Sequence, residues 1–213
     1  MHNSPMTPQP QLKQCFTIGH GNFTIDRFTD ILRHVGIDTI IDVRSTPYSR
    51  FNPQFNRENL EKSLKESAIN YQFMGELLGG RYTEAGLLFP DGRVDYRKVQ
   101  DTELFKEGIS KLISIISSGK MIAMMCAEKE PERCHRFALI SPVLQEKGIS
   151  VVHVRPEMKL QANEDLEKEL VDSLFDTSQG SISGEPVDFV GLMYERIGRG
   201  NAFKRKDILF EHR

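Results

Sequence analysis

Two thiols, an imidazole, two guanidiniums and three carboxylates lie in one segment of the chain, from Cys126 to Arg136, which reads C-A-E-K-E-P-E-R-C-H-R. Side chains of these types act as nucleophiles, metal ligands, proton carriers and anion-binding groups. The apolar run at 121–125 comes just before them and predicts a short buried strand. Since ligands of open α/β sheets bind outside the carboxyl ends of the strands, the segment marks a candidate active site.

One hypothesis for this segment is the chemistry of cysteine-dependent phosphatases and sulfurtransferases. In those proteins a cysteine loop follows a strand, ends with arginine at a helix start and holds an oxyanion with backbone N–H groups. The loop from Cys126 to Arg133 has six intervening residues, one more than in those families, and contains no glycine. Its three glutamates would repel phosphate and raise the pKa of Cys126. The sequence therefore disfavours a phosphatase.

A second hypothesis is a zinc site, because cysteine sulfur and histidine nitrogen are ligands that zinc prefers. The main candidates are Cys126, Cys134 and His135, with His20 or His153 as a further ligand. Neighbours on a helix point about 100° apart, so Cys134 and His135 can share one ion only if the helix begins after them. No Cys-x-x-Cys pair is present, and the alternative is that each cysteine is a small buried hydrophobe. Zinc is the one cofactor that the sequence suggests.

A third hypothesis assigns catalysis to a reactive thiol or to acid–base groups. Cys134 precedes a predicted helix and has Arg133, His135 and Arg136 as neighbours, which favours its thiolate over that of Cys126. In the acid–base version the thiols are bystanders. The candidate proton carriers are then His20, Glu128 and His135, with Asp42 to orient a histidine.

Guanidinium and hydroxyl groups near the same predicted sheet edge are suited to an anionic substrate. Guanidinium makes paired hydrogen bonds with phosphate or carboxylate. The candidate substrate-binding residues are Arg44, Ser45, Ser49, Arg50, Arg81 and Arg136. The alternative for any single arginine is a surface ion pair.

The first part of the chain predicts a strand–helix–strand unit that brings polar residues to this edge. Residues 15–18 and 39–43 have the composition of buried strands, and residues 25–35 repeat apolar side chains at helical spacing after the capping residue Thr24. We expect the two strands to be parallel and adjacent. His20 then follows the first strand, and Asp42 and Arg44 end the second.

The remaining pattern continues to alternate between helices and strands. Residues 57–67 favour a helix, and the glycine-rich residues 71–95 favour an irregular insertion of the kind used as a lid or binding loop. A helix over 102–117, capped by Asp101, leads to the strand at 121–125. The helix after Cys134 contains Pro142, which should kink or divide it, and a further strand is expected at 150–154.

This order of elements predicts an α/β fold with a mainly parallel open sheet and flanking helices in a Rossmann-like three-layer arrangement. We divide the chain into a flexible lead-in (1–14), an α/β domain that carries the site (15–156) and a helical extension (157–213). The extension combines an acidic helix near 163–175, a Ser- and Gly-rich linker at 176–185, a last helix opened by Pro186 and a basic tail.

Composition limits the functional classes. The chain has 213 residues, 38% hydrophobic and 27% charged, with a net charge of −2, which fits one soluble core and no membrane span. Three cysteines without a signal peptide indicate a reducing compartment and a cytoplasmic protein. The balanced charge removes the simple case for a nucleic-acid-binding protein, although a local basic patch can lie within a neutral total.

Four blocks of residues, in this order, resemble the signatures of the largely bacterial family called domain of unknown function 488. They are T-I-G-H-G at 17–21, D-V-R-S at 42–45 followed by Pro47, Ser49, Arg50, Pro53 and Phe55, C-A-E at 126–128, and C-H-R at 134–136. The resemblance runs from about Cys15 to Val154. It implies a compact α/β domain whose signature residues are grouped at an active site.

The hypothesis that combines these observations is an intracellular enzyme with a Cys/His/Arg pocket for an anionic substrate, either nucleotide-like or derived from nucleic acid. The reaction would be hydrolysis or group transfer assisted by a thiol or a metal. One alternative is a binding module for nucleotide or nucleic acid without catalysis. Another is a redox sensor in which Cys126 and Cys134 form a reversible disulfide, which requires α-carbons within about 7 Å of each other.

Overall fold

Six strands form one sheet in the computed structural model, which describes residues 13–175 and 187–205. The strand order is β3-β2-β4-β1-β5-β6; β1 to β5 are parallel and β6 is antiparallel to β5. The strands are β1 (Gln14–Gly19), β2 (Thr39–Asp42), β3 (Asn70–Phe73), β4 (Ile122–Cys126), β5 (Ser150–Val154) and β6 (Leu160–Ala162). The predicted α/β fold with a mainly parallel sheet is therefore confirmed.

Helices cover both faces of the sheet. They are α1 (Ile25–Val35), α2 (Arg57–Glu66), α3 (Gly75–Leu78), α4 (Tyr96–Gln100), α5 (Glu103–Ser117), α6 (Ser141–Glu146), α7 (Asn163–Leu174) and α8 (Phe189–Asn201). The apolar sides of α1 and α2 pack with residues such as Ile18 and Ile40 on one face. The other helices pack with residues such as Ile41 and Met124 on the opposite face. Alternate residues of each strand thus feed two separate cores.

The helix ends follow local sequence signals. The hydroxyl of Thr24 accepts from the N–H of Arg27 at 3.2 Å at the start of α1, and Gly36 ends this helix with a φ of 83°. The cap of α5 is Thr102, whose hydroxyl accepts from the N–H of Phe105, so the assignment of this cap to Asp101 was wrong. Both residues are good caps, and the helix uses the later one.

The expectation that β1 and β2 are adjacent was wrong, because β4 lies between them. The sequence of β4 is I-A-M-M-C, and every one of these residues is buried. A strand of apolar residues buries most of its surface in a central position, because neighbouring strands and helices cover it on all sides. The polar ends of β1 and β2 therefore lie on either side of the end of β4.

Two short strands were not predicted. Residues of β3, placed in the irregular insertion at 71–95, pair with β2 as an edge strand, and β6 pairs with β5 at the other edge. Four and three residues long, both are too short to show a periodic pattern. The remainder of the insertion is mostly irregular, with α3 and a 3₁₀ turn at Ala85–Leu87.

The helix after Cys134 is divided, as Pro142 predicted. A π-helical turn (Arg136–Ile140) is followed by α6, which has Pro142 in its first turn. Proline lacks an N–H group and removes one hydrogen bond of a continuous α-helix. The Ser141 hydroxyl donates to the carbonyl of Arg136 at 2.8 Å and helps to satisfy the widened turn.

The predicted acidic helix corresponds to α7, and α8 packs on the π-helical turn through the rings of Phe137 and Tyr194, whose centroids are 5.0 Å apart. The predicted linker at 176–185, Pro186 and the tail from Lys206 onward lie outside the described residues. None of the helices within 13–175 and 187–205 is long and apolar enough to cross a bilayer.

Candidate functional site

The carboxyl ends of three neighbouring strands bring the candidate residues together. Cys126 is the last residue of β4, Asp42 is the last residue of β2, and His20 follows β1. The N–H of His20 donates to the carbonyl of Cys126 at 3.0 Å and fastens the end of β1 to the end of β4. Gly19 is required here, because a Cβ atom at this position would lie 1.9 Å from the Glu128 carbonyl oxygen.

Cys126, Cys134 and His135 form a compact group, which we call the Cys/His cluster. The Nδ1 atom of His135 lies 3.6 Å from Sγ of Cys126 and 3.6 Å from Sγ of Cys134. All three donor atoms lie within 4.8 Å of one another. The cluster therefore presents two sulfurs and one nitrogen to a common point.

The backbone carbonyl of Val43 fixes the orientation of the His135 ring. The Nε2 atom of His135 lies 3.0 Å from this oxygen. A carbonyl oxygen can only accept a hydrogen bond, so Nε2 carries a proton. In the neutral ring Nδ1 then has a free lone pair that points toward the two sulfurs. Histidines that bind metals commonly have their other ring nitrogen held by such an acceptor.

Cys134 and His135 can both face one point because Cys134 precedes the helix. Cys134 has extended backbone angles (φ −129°, ψ 147°), and the π-helical turn starts beyond it with His135 as its N-cap. The helix thus begins after Cys134, which meets the condition stated above for Cys134 and His135 to bind one ion. Gly80 packs against the other side of the imidazole, where a Cβ atom would lie 2.8 Å from Cβ and Cγ of His135.

The two distances from Nδ1 of His135 to the sulfurs fit a zinc ion. Tetrahedral zinc with bonds of about 2.3 Å to sulfur and about 2.05 Å to nitrogen places these donor atoms about 3.6 Å apart. Both Sγ to Nδ1 distances in the cluster have this value. Three protein ligands leave the fourth position of a tetrahedral ion for water or substrate.

The two other histidines named as zinc ligands do not join this cluster. His153 lies between the hydroxyl of Thr17, 2.8 Å from its Nδ1, and the side-chain oxygen of Asn163, 2.9 Å from its Nε2. His20 has its Nε2 atom 3.3 Å from Nη1 of Arg44. Both rings are buried and have both nitrogens occupied by protein groups, which leaves no lone pair for a metal.

Burial and neighbouring charges separate the two thiols. The pKa of Cys126 is raised by its hydrogen bond with Cys134 and by burial. Burial also acts to raise the pKa of Cys134, but the hydrogen bond with Cys126 and the charges of Arg136 and His135 outweigh it and lower that pKa. The charge of the Cys134 thiolate in turn raises the pKa of His135, against the effect of burial. The surroundings therefore favour the thiolate of Cys134 over that of Cys126.

The carboxylate of Glu128 is in direct contact with the cluster. The thiol of Cys126 donates to Oε2 of Glu128 at 3.0 Å, and the Glu128 side chain is exposed to solvent. An exposed carboxylate at this position can exchange protons with solvent and with a group bound in the site.

Asp42 pairs with Arg44, and the expectation that it orients a histidine was wrong. Asp42 accepts from the Nε and Nη2 atoms of Arg44 at 2.9 and 2.6 Å and from the hydroxyl of Tyr71 at 2.8 Å. Burial tends to lower the pKa of Arg44, but the hydrogen bonds and charge of Asp42 raise it overall. The guanidinium is therefore a fixed positive charge in the wall of the site.

His20 helps to hold the Arg44 guanidinium in place. Its Nδ1 atom lies 2.9 Å from the carbonyl of Gly21 and must donate to it, so Nε2 accepts from Arg44. The ring stacks on Phe55 at a centroid distance of 4.1 Å. Burial lowers the pKa of His20 to about 4, so the ring is neutral near pH 7. These contacts assign it a structural role in place of proton transfer.

Arg136 also faces protein groups in place of a substrate. Its guanidinium is buried and donates through Nη1 to the carbonyl of Glu128 at 2.7 Å and through Nη2 to the carbonyl of Lys129 at 3.1 Å. The expected contact with an anionic substrate is replaced by contacts with the loop that follows β4. Arg136 holds the shape of this loop.

A cavity of about 190 Å³, the site cavity, opens beside the Cys/His cluster. The predicted residues in its wall, besides the cluster, are Arg44, Ser45, Arg81 and Glu128. The hydroxyl of Ser45 accepts from the N–H of Arg81 at 3.0 Å. Ser49 and Arg50 do not line it, since Ser49 stabilises its own loop and the Arg50 guanidinium lies over the Phe51 ring.

Sequence reasoning missed part of this wall. The residues not foreseen as site residues are Thr46, Gly80, Tyr96, Ala127, Arg133, Asn201 and Phe203. Arg133 was named only as a neighbour of Cys134, and Tyr96 has no motif around it. Asn201 and Phe203 reach the cavity from the end of α8. The sequence of this region shows a basic composition but no site motif. Their positions depend on long-range packing.

The match to a known family agrees with the motifs at this site. The family described as domain of unknown function DUF488 matches residues 24–142. The chain belongs to this family. The DUF488 match includes Arg44 and the whole Cys/His cluster, and it excludes His20 on one side and Asn201 and Phe203 on the other. None of the curated proteins matches the chain.

Proposed function

We propose that this member of the DUF488 family is a zinc-dependent hydrolase for an anionic substrate. Zinc is held by the Sγ atoms of Cys126 and Cys134 and by Nδ1 of His135. The observation that carries the proposal is the pair of 3.6 Å distances from Nδ1 to the two sulfurs, together with the Val43 carbonyl that directs Nδ1 toward them. The ligand set of two cysteines and one histidine is one used at catalytic zinc sites.

Glu128 is the general base of this proposal. Bound zinc supplies a nucleophile by lowering the pKa of a coordinated water to about 7. The Glu128 carboxylate lies next to the ligand Cys126 and in the wall of the site cavity, where it can accept the proton of that water. A glutamate that is not a ligand, close to a Cys₂His zinc, has this role in nucleobase deaminases, which makes hydrolysis a reasonable reaction class.

The arginines of the cavity wall supply the affinity for an anion. Arg44 is held in place by Asp42, while Arg81 and Arg133 are exposed and line the same cavity. Guanidinium groups form charge-assisted hydrogen bonds with carboxylate and phosphate. We place the enzyme in the cytoplasm, because a reducing compartment keeps the two thiol ligands available to zinc.

Zinc content tests the first part of the proposal. Protein purified without chelator should carry one zinc per chain by elemental analysis and by native mass spectrometry. The Cys134→Ser and His135→Ala variants should lose this zinc. Cys15→Ser is the matched control, because Cys15 is equally buried but lies at the opposite end of the paired strands β1 and β4 from Cys126. A wild-type protein that neither contains zinc nor binds added zinc would refute the proposal.

Cobalt substitution tests whether the site is catalytic or structural. Cobalt(II) in the cluster should give the visible bands of a tetrahedral site, and added azide should shift them if the fourth position holds exchangeable water. A spectrum unaffected by azide would indicate four protein ligands and overturn the hydrolase. Glu128→Gln should retain both the metal and the azide response, since Glu128 acts on the water and does not hold the ion.

A second candidate function is thiol chemistry at Cys134, favoured by its lowered pKa and its contact with His135. Thiolates are the reactive form of cysteine. Alkylation by iodoacetamide, mapped by mass spectrometry on the metal-free protein, should then modify Cys134 before Cys126. Turnover that persists after complete removal of metal and disappears in Cys134→Ser would favour this candidate over the zinc enzyme.

A further inference from the structure

Two aromatic side chains project into solvent close to the site cavity. Tyr48 is 69% exposed and Phe51 is 79% exposed, which makes them the most exposed of the large hydrophobic side chains in the described part of the chain. They belong to residues 45–56, which we call the aromatic loop. Two rings of this exposure lie three residues apart on one short segment.

The aromatic loop has a fixed conformation. The hydroxyl of Ser49 accepts from the N–H groups of Phe51 and Asn52 at 3.2 and 3.3 Å, and the N–H of Ser49 donates to Oδ1 of Asn56 at 2.7 Å. The carbonyl of Pro47 accepts from the N–H of Arg57 at 3.0 Å. A loop held in this way presents its side chains to a ligand at a small entropic cost.

The charge around the two rings is positive. Residues 43–57 contain three arginines and no aspartate or glutamate, in a chain with 30 acidic residues. Arg44 is paired with Asp42, but neither Arg50 nor Arg57 has an ion-pair partner among the described residues. Their guanidiniums lie over the rings of Phe51 and Phe73, at 5.0 and 4.7 Å from the centroids. Arg50 lies within the aromatic loop and Arg57 directly follows it, so positive charge without an ion-pair partner among the described residues borders the two rings along the chain.

The loop continues directly from the site cavity. Ser45 and Thr46 line the cavity, and Tyr48 lies two residues further along the chain. The cavity volume of about 190 Å³ is below the roughly 300–1,000 Å³ of sites that enclose drug-sized ligands. It has room for one small group of a substrate. The remainder of a longer substrate must lie on the surface outside, where the aromatic loop begins.

We propose that the aromatic loop binds single-stranded nucleic acid, with bases stacked on Tyr48 and Phe51 and phosphates contacted by Arg50 and Arg57. Proteins that bind single strands without sequence preference combine aromatic faces with a basic surface in this way. A protein partner fits less well, because polar and charged residues separate the two rings and leave no continuous apolar patch. The idea that this nucleic acid is the substrate of the zinc site depends on the function proposed above. Its binding to the aromatic loop does not.

Fluorescence anisotropy with labelled oligonucleotides tests the proposal. Full-length protein should bind 5′-fluorescein dT12 or U12 in a saturable manner, and the stronger of the two assigns DNA or RNA as the source of the strand. Tyr48→Ala/Phe51→Ala should weaken binding at least tenfold, since each stacked base contributes substantially to affinity. Leu104→Ala/Leu160→Ala is the matched control, because both leucines are 48% exposed, and it should bind like the wild type.

The salt dependence of binding tests the role of the arginines. Each phosphate contact on a single strand contributes about 0.7 to the slope of log affinity against log salt concentration. Arg50→Gln/Arg57→Gln should therefore reduce the slope by about 1.4. The aromatic double variant should keep the wild-type slope and lose affinity at every salt concentration.

The nucleic-acid proposal and the zinc proposal can be refuted separately. Absence of saturable binding to both oligonucleotides, or equal affinity of the wild type and the aromatic double variant, would overturn the role of the loop. The zinc content of the same preparations reports on the Cys/His cluster, and the aromatic double variant should still contain one zinc per chain. If the protein binds the oligonucleotide but lacks zinc, the result would support the nucleic-acid site and refute the zinc hydrolase.

Discussion

The guanidinium of Arg136 donates to the carbonyl oxygen of Glu128 at 2.7 Å from within the helix that follows the Cys126–Cys134 loop. The same side chain also contacts the carbonyl of Lys129. Both thiols of the cluster are thus placed by a buried arginine that touches neither of them through a side-chain hydrogen bond. The shape of the loop depends on a charge that has no carboxylate partner among the described residues.

Replacement of Arg136 by Gln should destabilise the protein by about 2–4 kcal/mol, because two backbone carbonyls lose a charged donor that is itself buried. The exposed neighbour Arg133 is the matched control, and Arg133→Gln should change the unfolding free energy by less than about 0.5 kcal/mol. Urea unfolding followed by circular dichroism measures both. Equal stability of the two variants would contradict the structural role of Arg136.

Gly80→Ala should impair zinc binding without removing a ligand. The new methyl group would lie 2.8 Å from Cβ and Cγ of His135, so the imidazole must move away from the two sulfurs. We expect the zinc affinity to fall about 10–100-fold, as for changes that misplace a ligand, when measured by competition with a chromogenic chelator. Gly86→Ala has open space around the added atom and should bind zinc like the wild type. An unchanged affinity in both variants would show that the close contact has no influence on the cluster.

Asp42→Asn should destabilise the protein by about 3–5 kcal/mol, because the buried guanidinium of Arg44 loses its counter-charge. Asp30→Asn is the control: Asp30 pairs with Arg33 at the surface, and its loss should cost less than about 1 kcal/mol. Thermal and urea unfolding would measure the difference. Similar losses in the two variants would mean that Asp42 and Arg44 do not act as a buried ion pair.

His153 should make the stability fall in mild acid. Burial, with the charge of Arg136, lowers the pKa of His153 to about 3, whereas an unfolded chain has an ordinary value of about 6.5. Below pH 6.5 the unfolded state therefore takes up a proton that the folded state does not bind. Stability is lost as the pH falls from 6.5 toward 3, by about 2 kcal/mol between pH 7 and 5.

Comparison of His153→Gln with the wild type checks this pH dependence. Urea unfolding at pH 7 and pH 5 should show a loss about 2 kcal/mol smaller in the variant, because glutamine does not titrate. His34→Gln, on the exposed face of α1, should follow the wild type. Parallel curves for His153→Gln and the wild type would assign the acid sensitivity to another group.

Local signals explain which features could be predicted from the sequence. Apolar runs and capping residues mark where strands and helices end, so the edge that holds Cys126, Asp42 and His20 followed from the pattern. The partner of Asp42 did not follow. Arg44 is two residues away, and only the bend after β2 turns its side chain back onto Asp42 and toward His20.

Features that depend on distant packing could not be predicted. The central position of β4 arises from competition among strands for burial, and a single strand–helix–strand unit contains no information about it. Tyr96 and Phe203 enter the cavity wall because α4 and the end of α8 pack near the same strand ends. No motif surrounds either residue. The residue types of the candidate site were therefore visible in the sequence, but most of the shape of its cavity was not.

The wall formed by Asn201 and Phe203 lies outside the part of the chain that matches the family. The segment that carries the Cys/His cluster and the segment that contributes Asn201 and Phe203 to the cavity wall are thus separate parts of the sequence. If the chain is the hydrolase proposed above, changes near the end of α8 would alter which substrates enter the site cavity without moving a sulfur or nitrogen of the cluster. An exchange of this terminal segment between family members would then be a route to new substrate ranges.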